Sequence, residues 1–149
     1  PDRLAEVNST FRAVLRWKLG LAYLVAGYFH LATPRPFLEI MPSWVPAPES
    51  VVKWTGIAEM AGAAALLQPW SLRWRLAGAT ALALYAVCVF PANVNHLMLD
   101  LVRQNGGFGL AYHIPRLAFQ PVLVWLALWT GGVTNWPFTR RPPDENDQA

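Results

Sequence analysis

The chain has 149 residues, of which 54% are hydrophobic and only 14% charged, against about 25% charged in an average soluble domain. Mean hydropathy is +0.26. Net charge is +3, but the basic residues flank apolar blocks instead of forming a patch, which excludes nucleic acid as a partner and reads as topology signals and anionic-lipid contacts.

Four apolar blocks follow in order, and each approaches the ~20 residues that a bilayer crossing requires. The first covers 14–32, preceded by Arg12, with Arg16 and Lys18 reaching the interface. No small-residue cleavage site follows it, so it is expected to be a retained signal-anchor helix. The second covers 51–67. The third covers 74–99 and contains Pro91, and the fourth covers 114–132. Ala and Leu dominate without period-two alternation, which argues against strands.

The connections differ in character. Residues 33–50 hold five prolines together with Phe37, Leu38, Ile40, Met41 and Trp44, too stiff for a long helix and too apolar for a free loop. They are expected to pack as a lid on one mouth of a bundle, with one short helical turn. The short 68–73 connection makes the second and third blocks antiparallel neighbours. Gly106, Gly107 and Gly109 make 100–113 mobile, and 140–149 read as a disordered polar tail. The expected architecture is an all-α integral membrane four-helix bundle, antiparallel, with a Pro-rich outer loop packed between the first two helices. Residues 1–139 form its single domain.

Counting Lys and Arg places eight (Arg3, Arg12, Arg16, Lys18, Arg73, Arg75, Arg140, Arg141) on one side and four (Arg35, Lys53, Arg103, Arg116) on the other. This predicts both termini in the cytoplasm. Trp17, Trp70, Trp74 and Trp136 then mark the inner interface, and Trp44 and Trp54 the outer. Small residues four apart, such as Ala22/Ala26, Ala58/Gly62, Ala61/Ala65 and Ala79/Ala83, allow close helix approach.

Glu59 stands out. It sits in an otherwise apolar run, where a carboxylate is unfavourable by at least about 2.5 kcal/mol on insertion scales, so a partner, water or a ligand must face it. It lies eight residues below Val51, about 12 Å along a helix. Other polar residues gather at the same level. Tyr23, Gly27 and His30 share a helix face, as do Tyr85, Val89, Asn93 and His96, and Arg116 lies four residues from Gln120. Pro91 removes a backbone hydrogen bond and frees a carbonyl near Val87. Glu59 and His30 are the candidate catalytic pair. Asn93, His96, Arg116, Gln120, Tyr23 and Tyr85 are candidate ligand-binding residues.

Other chemistries find less support. Cys88 is the only cysteine; without a CxxC it supports no thiol relay and reads as a small buried hydrophobe. His30, Glu59, His96 and His113 are acceptable metal-ligand types, but no HxxxH or HxxE spacing joins them, and no metal is expected. The His96–Asp100 pair at i, i+4 is too common to carry a site. Haem, nucleotide, flavin and serine-hydrolase signatures are absent.

Gly27-Tyr28-Phe29-His30, then Pro34 to Pro42 and Val45-Pro46-Ala47-Pro48, Gly56 to Gly62, Phe90-Pro91-Ala92-Asn93-Val94 and Pro115 to Gln120 together resemble DoxX-like membrane proteins over residues 20–130. The resemblance implies a four-helix membrane bundle with motif positions at His30, Glu59, Asn93, Arg116 and Gln120. The family is named after a subunit of a thiosulfate:quinone oxidoreductase, and relatives are associated with redox or oxidative-stress systems.

Three functions are consistent with these readings. One is a redox-associated inner-membrane subunit binding a quinone or similar lipophile around Glu59, its tail in the apolar inner half. Another is a structural accessory subunit of a larger membrane complex, or a homo-oligomer, in which the polar cluster is interhelical glue. The third is a stand-alone enzyme using Glu59 as base and His30 as acid on an apolar substrate.

Overall fold

The computed structural model describes residues 2–105 and 107–138. The expected disordered tail at 140–149, with Arg140 and Arg141, lies outside them. All regular structure among the described residues is helical: α1 Asp2–Ala32, α2 Arg35–Glu39, α3 Pro48–Leu67, α4 Leu72–Cys88, α5 Phe90–Val102 and α6 Leu110–Gly131. α1 packs on α3, α3 on α4 and α4 on α6, and α6 returns to α1.

Four membrane crossings are not sustained. Among the described residues one stretch, Leu72–Val102, with 31 residues and a mean hydropathy of 1.6, is long and apolar enough to cross a membrane. Only 33% of its most apolar window is buried inside the protein, so most of that surface faces outward. The other helices fail because polar residues interrupt them. α1 carries Arg12, Arg16 and Lys18, and α3 carries Glu49, Lys53 and Glu59. α6 opens with His113, Pro115, Arg116, Gln120 and Pro121. The four-span, antiparallel membrane bundle is therefore replaced by a ring of helices containing one membrane-competent stretch.

Boundaries moved for identifiable reasons. α1 starts at Asp2, well before the expected residue 14. Arg12 is not a free interfacial charge. Its Nε donates to the Trp129 carbonyl at 2.6 Å and its Nη2 to Thr134 O at 3.2 Å, with the guanidinium 5.1 Å from the Trp129 ring. A cation there satisfies carbonyls at the end of α6, where the helix dipole is negative. The third block is two helices meeting at Val89, because Pro91 in the first turn of α5 suits a helix start but cannot continue α4. Residues 33–47 form one five-residue helix, α2, and turns, and 48–50 open α3. Cys88, expected to be buried, is exposed.

The core holds Leu19, Tyr23, Ala63, Leu66, Ala79, Leu82, Ala83 and Ala127. These side chains, small or aliphatic apart from Tyr23, fill the inner part of the ring. α1 and α3 approach closely at two facing glycines. A methyl group on Gly27 would stand 2.7 Å from the Gly56 carbonyl oxygen, and one on Gly56 would stand 2.6 Å from His30 Cβ. Only glycine allows this approach, and it sets His30 beside Glu59.

Candidate functional site

Glu59 is 2% exposed. The Nδ1 of His30 lies 2.9 Å from Glu59 Oε2 and 2.9 Å from the Ala26 carbonyl oxygen one turn back. A carbonyl can only accept, so Nδ1 carries a proton. The two acceptors compete for that proton at equal distance, and Glu59 Oε2 is left buried without a well-aligned hydrogen bond of its own. Tyr85 and Tyr23, which meet edge to face at 6.1 Å, both interact with the Glu59 carboxylate.

These groups line a cavity of about 270 Å³. Seven of the eight predicted site residues are on its wall: Glu59, His30, Tyr23, Tyr85, Asn93, Arg116 and Gln120. His96 is not among them. Phe37 and Ile40 close the cavity from the Pro-rich segment. Phe37 stacks on His30 at 3.7 Å between ring centroids, and Asn95 Nδ2 donates to the Ile40 carbonyl at 2.9 Å. Phe37 also borders an apolar groove of about 730 Å³ along the outside of α1, with Leu21, Val25 and Phe29. It thus lies on the wall of both the cavity and the apolar groove. The inner part of the ring, expected to receive a lipid tail, is occupied by the core.

Asn93 and Gln120 satisfy one another. Asn93 Nδ2 donates to Gln120 Oε1 at 2.9 Å, and Gln120 Nε2 donates to the Ala86 carbonyl. The carbonyl that accepts is Ala86, not that of Val87, whose helical donor Pro91 removes. Arg116 does not pair with Glu59. Its Nη1 lies 3.0 Å from His96 Nδ1, and its guanidinium sits 5.6 Å from the Tyr112 ring.

His96 belongs to a second polar centre built on Asp100, which is 1% exposed. Asp100 Oδ2 accepts from His113 Nε2 at 2.9 Å and from the Phe108 backbone N–H at 2.9 Å. His96 Nε2 stands 3.7 Å from the same oxygen, and Arg103 Nη1 lies 3.2 Å from Oδ1. Asp100, His113 and Phe108 were not among the predicted site residues. The signal present was His96 and Asp100 one turn apart on α5. What brings His113 to them is the fold of the glycine-rich loop. Gly107, at φ +54°, passes so close that a β-carbon there would collide with the Asp100 carboxylate.

No curated protein and no solved structure shows a significant match to the chain. None of the comparisons points to the DoxX-like proteins. One family model matches, over residues 19–131, which spans α2 to α6 and every residue of the cavity wall. The chain belongs to the family described as Domain of unknown function (DUF8561).

Proposed function

We propose that the chain binds a quinol or a similar lipophile, with its polar ring in the cavity beside Glu59 and its tail along the outer groove of α1. The observation that carries this reading is Glu59 Oε2, a buried carboxylate oxygen without a hydrogen bond on the wall of a cavity. Leaving such a group unpaired costs roughly 1–3 kcal/mol or more, and a ligand hydroxyl donating to it offsets that cost. A volume near 270 Å³ lies just under the usual ligand-pocket range of about 300–1,000 Å³, so it suits one ring and not a whole lipid. Tyr23 and Tyr85 add hydroxyls, and Phe37 forms the threshold to the apolar groove.

In this reading the protein is a redox-associated subunit at the bacterial inner membrane, held there through Leu72–Val102. A relation to DoxX-like proteins is part of the same proposal. Interconverting quinone and quinol moves two electrons and two protons. The Glu59–His30 pair can relay protons, and a partner subunit supplies or removes the electrons. The test is direct: protein purified in mild detergent is extracted with organic solvent, and the extract is analysed by mass spectrometry. Quinone or quinol above the level of a control membrane protein of similar size supports the proposal. Its absence, together with failure of an added short-chain quinol to protect the protein from heat, rejects it.

A second reading is favoured by one specific observation. Asn93, Gln120 and Ala86 form a closed hydrogen-bonded set between α4, α5 and α6, which is what interhelical glue in an accessory subunit requires. Under this reading Gln120 variants lose stability and no ligand copurifies.

A further inference from the structure

The centre around Asp100 lies outside the cavity and touches it through Arg116, which lies against His96 and also lines the cavity wall. It sits where α5, the 103–109 loop and the start of α6 meet. His96, Asp100 and His113 are all buried, and their ligand atoms lie within 4.8 Å of one another. We propose that these three residues bind a divalent first-row transition ion through two imidazole nitrogens and one carboxylate oxygen.

The donor set selects the ion class. Imidazole with a single carboxylate suits zinc, iron, nickel or copper, whereas calcium and magnesium take oxygen ligands. Ligands bound at 2.0–2.2 Å stand about 3–3.5 Å from one another around a tetrahedral ion. Asp100 Oδ2 already lies 2.9 Å from His113 Nε2 and 3.7 Å from His96 Nε2, so small ring movements complete the set. The loop supports the carboxylate from behind. Phe108 N–H holds Oδ2 at 2.9 Å, and the backbone at Gly107 passes where no β-carbon fits. Three protein ligands leave a position open on the ion for water or another ligand.

Proton placement adds a consequence. An ion on both Nε2 atoms requires the ring protons on Nδ1. His113 Nδ1 has no hydrogen-bond partner, so nothing donates to it and it is free to carry the proton. His96 Nδ1 faces Arg116 Nη1 at 3.0 Å, and arginine only donates. Binding the ion therefore turns Arg116 away from His96 and into the cavity whose wall it shares. Arg103, whose side chain is 45% exposed, swings into solvent as the ion takes over its charge.

The experiment uses the full chain without a histidine tag, stripped with chelator and titrated with Zn2+ by calorimetry. Retained metal is counted after dialysis, and Co2+ absorption reports the coordination. The expected result is one ion per chain with visible bands of bound Co2+. His96→Ala, which keeps the Asp100–His113 pair, and His113→Ala each weaken binding by at least about tenfold, since even outer-shell changes at metal sites reach that size. His30→Ala, remote from the cluster, binds as the parent protein does. Arg116→Gln binds more tightly, because the competitor for His96 is gone. Substoichiometric metal in the parent protein, or parent-like affinity in His96→Ala and His113→Ala, overturns the site. Unchanged or weaker binding by Arg116→Gln contradicts His96 as a ligand.

Discussion

Glu59 on α3 and Asp100 on α5 are both almost fully buried, at 2% and 1% exposure, and each leaves one oxygen, Glu59 Oε2 and Asp100 Oδ1, without a hydrogen bond, yet their surroundings differ. Asp100 is met by a backbone N–H, two histidines and an arginine. Glu59 faces His30, Tyr23 and Tyr85, and no backbone N–H or arginine reaches it among the described residues. Buried charge is tolerated when paired and hydrogen-bonded. A carboxylate surrounded by donors holds a fold together or waits for a cation. One left short of donors beside a cavity waits for a ligand that brings them. Chain folding supplies the difference: the glycine-rich loop closes onto Asp100, while the Gly27–Gly56 crossing brings only His30 to Glu59.

The comparison breaks most visibly at Asp100. Asp100→Leu strands His113, Phe108 N–H and Arg103 together, and is expected to give the largest fall in the unfolding midpoint of any single change discussed here. Circular dichroism during heating in detergent checks it. Next is Gly56→Val, whose side chain meets His30; overpacking of this kind costs about 1–3 kcal/mol. It pushes His30 from Glu59, so chemical denaturation should show lower stability and ligand protection should vanish together. Gln120→Ala leaves the Asn93 amide and the Ala86 carbonyl without their partner, for roughly 1–3 kcal/mol, with denaturant midpoints as readout. The smallest effect belongs to Glu59→Gln. Its stability should stay within about 1 kcal/mol of the parent protein or rise, because the group it replaces is poorly satisfied.

Much of the Glu59 side was legible from residue types and spacing. A lone carboxylate in an apolar run announces itself, and the helical spacing of Tyr23 with His30, and of Tyr85 with Asn93, places those side chains toward one interior. The Pro-rich segment was readable as a packed lid, because Phe37 and Ile40 are too apolar for solvent. Four membrane crossings were not a safe inference from the same apolar blocks. Charges inside α1 and α3 and polar residues opening α6 shorten their apolar lengths, and Arg12 serves the end of α6. The break at Val89 was half visible in Pro91. The Asp100 centre was hidden because His113 reaches it only through a loop whose path depends on positive φ at Gly107 and Gly109, and spacing along the chain does not encode that closure.

The central claim is that Glu59 is held short of hydrogen bonds so that a ligand can supply one. Its most direct test is paired titration of the parent protein and Glu59→Gln with a short-chain quinol, with unfolding midpoints measured on the same samples. Expected are saturable binding by the parent protein, at least about tenfold weaker binding by the variant, and a variant stability within about 1 kcal/mol of the parent's or higher. Equal binding by both proteins, or a variant that binds normally and unfolds far more easily, contradicts it.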